Sequence, residues 1–220
     1  MTIKMHDLFD LKRTIAFEYL SAFDVPWEAL SGIKEYTEIL GKSLPRDKYE
    51  KIAENVWVAK NAVISPTAHI GSHCIIDEGA EIRHCAYIRG SAIIGKGAVV
   101  GNSTELKNCI LFDNVQVPHF NYVGDSILGY KAHLGAGSIT SNVKSDKSLV
   151  TVALNGEKIE SGLKKFGAIV GDYCEVGCNA VLCPGTVLGR NVTVYPTSMV
   201  RGFVGENSIL KNNGTIVIKT

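Results

Sequence analysis

Residues Val58 to Pro118 read VAKNAVISPTAHIGSHCIIDEGAEIRHCAYIRGSAIIGKGAVVGNSTELKNCILFDNVQVP, and their bulky residues recur every six positions. Val58, Ile64, Ile70, Ile76, Ile82, Ile88, Ile94, Val100, Leu106 and Phe112 share one position of the hexad. Four residues after each come Ala62, Ala68, Cys74, Ala80, Ala86, Ala92, Ala98, Thr104, Ile110 and Gln116, so the small residue is kept through Thr104. A beat of six does not suit an α-helix, whose period is about 3.6. A hairpin sheet would need turn dipeptides roughly every 8–12 residues. The pattern suits a parallel β-helix in which each hexad is one short strand plus a corner. The aliphatic residue points inward and the small one fits where the chain turns toward the axis. Three hexads close a triangular coil, which stacks residues 18 apart at strand spacing, about 4.8 Å.

Composition sets wide bounds. Hydrophobic content of 45%, charged content of 20% and a net charge of +1 describe an ordinary globular chain, with no electrostatic reason to seek nucleic acid or an anionic membrane. No apolar run approaches the ~20 residues of a membrane span, and the opening MTIKMHDLFDLKRT is too polar for a signal peptide. The six cysteines form no CxxC pair, and Cys74 and Cys174 occupy the small inward slot. Reduced core thiols, and with them a cytoplasmic location, are the expectation.

Outside the regular stretch the chain divides readily. Residues 1–50 lack the beat; Leu8, Leu11, Ile15, Tyr19 and Phe23 have helical spacing, as do Trp27, Leu30, Ile33, Tyr36 and Leu40. Asp24 and Pro26 separate the two as N-cap and first-turn signals. Two helices are therefore expected to cap the open edge of the first coil, because an uncovered edge invites pairing. The β-helix is expected over 51–205. Its beat breaks after Phe112, resumes shifted at Leu128 and Leu134, vanishes within 143–167, and returns in phase from Val170 to Val200. The polar stretch 143–167 contains Asn155-Gly156, a hairpin signal, and is expected to project outward as a loop or ribbon. Residues 206–220 read as a final strand or arm.

The chemistry gathers at the break. VPHFNYVGDS (Val117–Ser126) gives up the repeat and presents His119, Asn121, Tyr122 and Asp125 together; functional residues are expected at such local departures. Arg89 and Lys107 are 18 apart and each follows an inward aliphatic, so they should stack on one outer face. An anion such as phosphate between them would relieve their repulsion; two solvated surface cations are the plainer reading. Glu105 is placed to orient His119 across a coil, as a carboxylate-held imidazole base requires.

The segment GNSTELKNCILFDNVQVPHFNYVGDSILG (Gly101–Gly129), continued by LGAGSITSN (Leu134–Asn142), resembles the acetyltransferase half of the bifunctional glucosamine-1-phosphate acetyltransferase/N-acetylglucosamine-1-phosphate uridylyltransferases. It resembles more closely the archaeal sugar-1-phosphate nucleotidylyltransferases that carry an amino-sugar acetyltransferase domain. HxxYxGD followed by GAGxxxxN carries the likeness, which runs without a gap from Arg89 to Asn142. The resemblance implies a mainly β protein, a left-handed parallel β-helix, assembled as a homotrimer with sites between subunits, working in UDP-N-acetylglucosamine biosynthesis. It implies acetyl-CoA as co-substrate, an amino-sugar phosphate as acceptor, and no metal. It makes His119 the general base and Glu105 its carboxylate. Arg89 and Lys107 become sugar-phosphate ligands, Tyr122 and Asn142 acceptor contacts, and His133 a residue of the acceptor region, replacing an asparagine. Ala136 and Cys178 fall where acetyl-CoA lies along the coils; Lys144, Lys147, Lys164 and Lys165 are all candidates for the family's active-site lysine, and Lys164 and Lys165, within SGLKKFGA, are the ones assigned to the cofactor. The chemistry needs these groups: a protonated amine is no nucleophile, imidazole can take its proton, and the GAG turn can offer N–H groups to an oxyanion.

Residues 1–50 contain no glycine-rich nucleotide loop, so no pyrophosphorylase activity is expected of this chain alone. Two other readings stay open: a non-catalytic trimeric scaffold that binds a sugar nucleotide, and a zinc enzyme like the gamma-class carbonic anhydrases. The second is raised by His69, His73, His84, His119 and His133.

Overall fold

The computed structural model describes residues 3–219, and the hexads wind into a parallel β-solenoid of about nine turns. Short strands stack into three faces, each a ladder of directly paired residues. The first face carries His69, Tyr87, Glu105, Tyr122, Ile139, Val181 and Met199. The second carries Trp57, Ile75, Ile93, Ile110, Ile127, Ile169, Val187 and Phe203. The third carries Val63, Glu81, Val99, Gln116, His133, Glu175, Thr193 and Ile209. Strand residues alternate in direction, so their neighbours, such as Ile76, Ile94, Leu111 and Leu128, fill the axis and are fully buried.

The phase break comes earlier than the sequence suggested. Ile88 pairs with Leu106, 18 residues on, but Gly90 pairs with Lys107, 17 residues on, and Arg89 is the extra residue at that irregularity. From this corner two turns run at 17. Leu111, not Phe112, continues the column between Ile94 and Leu128, while Cys109 takes the small slot between Ala92 and Ser126. Phe112 meets Phe9 instead, ring centroids 5.0 Å apart. Ile110 and Gln116 broke the small-residue rule because they are not slot residues at all; Ile110 lies on the second face and Gln116 is exposed on the third.

The second face explains residues 3–43. Its outward ladder is apolar at every rung, and Ile75, Ile93, Ile110, Ile127, Ile169 and Val187 are nonetheless fully buried. The N-terminal segment covers them. Asp172 donates its backbone N–H to the Leu8 carbonyl, Asp113 donates to that of Arg13, and Asn108 Nδ2 donates to that of Leu30. Trp27 packs 5.8 Å from Phe166, and a Cβ on Gly41 would collide with the Trp57 ring. The segment thus climbs the flank from late turns to the first, instead of capping the first coil as expected. Burying an isoleucine side chain is worth about 1.5–3 kcal/mol, so a whole apolar face demands cover more strongly than one edge does. Following that surface also breaks the expected first helix into Met5–Leu8, a 3-10 turn Leu11–Arg13, and Phe17–Leu20. The second is a 3-10 run, Pro26–Gly32, leading into the helix Ile33–Ser43.

The edges are closed by antiparallel strands. Tyr49–Ala53 pairs with Val56–Ala59 at one end, and Ile216–Ile218 with Ser208–Leu210 at the other. The insertion forms the expected ribbon, Thr151–Leu154 against Glu157–Glu160, with Asn155 and Gly156 both at positive φ in its turn. It does not project, however. Val150 and Val152 are fully buried, and the Thr151 and Ala153 carbonyls press on Gly185 and Gly202 of the late turns. No helix among the described residues is long and apolar enough to cross a membrane.

Candidate active site

The local backbone of HxxYxGD is dictated by two residues. Gly124 lies beneath the Tyr122 side chain, and a Cβ there would stand 2.5 Å from the phenol oxygen. Asp125 turns the corner between the first and second faces at φ 49°, as Asn108 does one turn earlier at the same φ; Asn and Asp tolerate this left-handed region better than most residues.

Asp125 is buried and acts as a hub. It accepts hydrogen bonds from Lys107 Nζ at 2.7 Å, Asn108 Nδ2 at 3.0 Å and Asn142 Nδ2 at 2.5 Å. Asn142 Nδ2 also donates to the Tyr122 hydroxyl at 3.1 Å. Burial pushes the Tyr122 phenol above its ordinary pKa, with the Asp125 and Glu105 carboxylates adding to the effect. On the rung beside Tyr122, Glu105 accepts from Arg89 Nη1 at 2.9 Å.

These pairings correct two expectations. Arg89 and Lys107 do not stack as bare cations: Arg89 is paired with Glu105 and Lys107 with Asp125. Nor does Glu105 hold His119 within the chain. Among the described residues the His119 ring makes no hydrogen bond, and Glu105 is engaged by Arg89. The irregular stretch presents fewer groups than it promised, because Asn121 is buried and structural. Its amide nitrogen donates to the carbonyls of Gly135 at 2.8 Å and Ser138 at 3.0 Å, while its oxygen accepts from the His119 backbone N–H. Asn121 thereby locks the His119 backbone to the GAG turn.

His119, Ala136 and Cys178 stand in one column. The His119 carbonyl accepts from Gly137 N–H at 3.0 Å, and that of Ala136 from Asn179 N–H at 2.9 Å. This column marks the corner between the third and first faces, and His119 and Cys178 are exposed along it. Gly135 N–H is bonded to the Val176 carbonyl and Gly137 N–H to that of His119, so among the described residues Ala136 N–H is the turn's donor left for an oxyanion.

Other expected site residues lie elsewhere on the chain. His133 is on the third face, where Nδ1 meets Glu175 at 2.8 Å beside a groove of about 380 Å³ with Asn114, Gln116 and Lys131. Lys164 and Lys165 do not join Ala136 and Cys178; they share a groove of about 490 Å³ with Lys107, Asn108, Asp125 and Lys34. Asn108 and Glu175 were not singled out from the sequence. Their signals are spacings, 17 from Asn108 to Asp125 and 42 from His133 to Glu175, visible only once the shortened turns and the insertion are known. Cys74 and Cys174 fill the inward slot as read, and burial pushes both thiols up to about 12. Among the described residues no group of three or more His, Cys, Asp or Glu could hold a metal ion.

A coil of hexads with inward aliphatics and small corner residues defines a hexapeptide-repeat protein. Residues 51–84 match the family described as bacterial transferase hexapeptide (six repeats), and residues 72–160 match the GMPPB C-terminal domain. The chain is similar to the bifunctional protein GlmU of Methanococcus aeolicus, 33% identical in an alignment 220 positions long that covers 92% of this chain and 49% of that one. It is similar also to a bifunctional sugar-1-phosphate nucleotidylyltransferase/acetyltransferase of Sulfurisphaera tokodaii, 31% identical over 182 residues, covering 71% and 45%. The chain spans about half the length of the curated relatives it matches. Among solved structures, the GDP-perosamine N-acetyltransferase of Caulobacter crescentus aligns at 17% identity and a TM-score of 0.37, covering 75% of this chain and 57% of that one.

Proposed function

We propose that this chain transfers an acetyl group from acetyl-CoA to the amine of an amino-sugar phosphate, a glucosamine-1-phosphate-like acceptor. The observation that carries the reading is the exposed imidazole of His119, one turn from the GAG corner, at one end of the same first face that carries the Tyr122–Asn142–Asp125–Lys107 network at its far end. The two-part names of the relatives support it. In this reading His119 takes the proton from the sugar ammonium, and the free amine attacks the thioester carbonyl. The Ala136 N–H donates to the developing oxyanion, and the tetrahedral intermediate collapses with loss of the CoA thiolate, which takes up a proton. Arg89 and Lys107 hold the acceptor's phosphate, Lys107 with Asp125 as its anchor, while Tyr122 and Asn142 orient the sugar. The column through Ala136 and Cys178 has small side chains on an exposed corner, a surface along which the CoA arm can lie. Because the His119 ring makes no hydrogen bond among the described residues, the site is read as completed by a second copy, in a homotrimer. His133 and Glu175 on the third face then contribute from that neighbouring copy, and Lys164 and Lys165 neutralise phosphate at the Lys107 groove.

A free-thiol assay with acetyl-CoA and a panel of amino-sugar phosphates tests the reading. CoA release should depend on one acceptor class. Absence of release with glucosamine-1-phosphate, galactosamine-1-phosphate and nucleotide-linked amino sugars alike would reject catalysis in favour of a binding scaffold.

A further inference from the structure

The helix Ile33–Ser43 ends over the first turn of the solenoid, with Gly41 seated on the Trp57 ring. The chain then returns as the edge strand Tyr49–Ala53. Between them lies a groove of about 680 Å³ whose charged lining is Lys42, Arg46, Lys51, Lys60 and one carboxylate, Glu50. Four cations against one anion is a strong local excess in a chain whose net charge is +1. Little within the chain offsets it. Lys42 shares the exposed Glu38, a surface pair that water screens and that is easily exchanged. Lys51 lies 5.5 Å over the Trp57 ring, and Arg46 and Lys60 form no ion pair among the described residues.

We propose that this groove binds the diphosphate group of a small ligand, free or carried on a nucleotide. The cations come from two sides, Lys42 and Arg46 at and just past the helix end, Lys51 on the edge strand and Lys60 just past its partner strand Val56–Ala59. One phosphate can engage one guanidinium fork; two linked phosphates are needed to satisfy both sides. The volume lies within the roughly 300–1,000 Å³ usual for small-molecule sites. The groove is separate from the proposed acetyl-transfer site, since Trp57 and Ile110 are three rungs apart on the second face, about 15 Å at strand spacing, and Ile110 belongs to the strand that carries Glu105 and Lys107.

Trp57 is the natural reporter. The chain has two tryptophans; both are buried, but Trp57 lines the groove whereas Trp27 packs against Phe166. Tryptophan fluorescence of the full chain, with calorimetry as a second measurement, is followed while sodium pyrophosphate, ADP, UDP or inorganic phosphate is added without acetyl-CoA. A saturable Trp57 response to pyrophosphate is expected, its affinity weakened at least tenfold by Arg46→Ala/Lys60→Ala and unchanged by His119→Ala. Both substituted side chains are exposed, so the melting temperature should hold. Equal affinity for ADP, UDP and pyrophosphate supports recognition of the diphosphate alone; a nucleotide at least tenfold tighter supports a nucleotide as its carrier. Three results overturn the proposal: no saturable binding at millimolar concentration, binding indifferent to the double substitution, or inorganic phosphate binding as tightly as pyrophosphate.

Discussion

Asp125 shows what a single side chain does in this scaffold. It neutralises Lys107 and orients Asn142, which in turn fixes the Tyr122 hydroxyl. Asp125→Asn should cost about 1–3 kcal/mol, the usual penalty for spoiling a buried hydrogen-bonded charge, read from urea denaturation. It should also raise KM for the phosphate acceptor more than it lowers kcat, since Lys107 would lose its anchor; a KM unchanged beside a collapsed kcat would contradict that role. Gly124→Ala drives a Cβ into the Tyr122 phenol and should destabilise by about 1–3 kcal/mol, with thermal unfolding as the check. HxxYxGD pointed to this place from the sequence alone. The bonds within it stayed hidden because they cross turns of 17 residues, and a strict count of 18 pairs Arg89 with Lys107 where the chain pairs Gly90 with it.

At the scale of elements, the N-terminal segment is held to the second face by polar joints as well as apolar packing. One joint is Asp113, whose N–H donates to Arg13 and whose carboxylate accepts from Lys96 N–H. Burial pushes this carboxyl up to about 6 from its usual value of 3.8. The folded state therefore binds the proton more tightly than the unfolded chain does. The resulting stability is present in full below about pH 4 and is lost as pH rises through about 6. Urea midpoints measured across that window should fall with pH, less steeply in Asp113→Asn; identical slopes would remove Asp113 as the cause. Phe9→Ala should cost about 3–5 kcal/mol, because its ring closes over Phe112; a loss under about 1 kcal/mol by denaturant titration would show the segment to be loosely held. The helical spacing of residues 8–40 was legible, but its destination was not. The missing cue was the apolar residue at every outward rung of the second face, which the hexad count, tuned to inward positions, passed over.

For the whole molecule, one covered face leaves two free, and the corner between those two carries His119, Ala136 and Cys178. This is the geometry from which a shared site between copies is proposed, and sedimentation should find three copies of the 23.8 kDa chain; a monomer that turns over at full rate would contradict the shared site. The solenoid itself was written plainly in the repeat, since ten bulky residues on one beat admit few other folds. The candidate site was half legible, because its proposed residues were marked by motif but their partners were set by a register that shifts twice, at Arg89 and at the insertion. The central claim is that His119 takes the proton from the acceptor amine. Its most direct test is acceptor-dependent CoA release by wild type and His119→Ala side by side, with circular dichroism and sedimentation confirming the same fold and assembly. The account predicts a loss of at least about 100-fold in kcat for the variant. Equal turnover by the two proteins would contradict it.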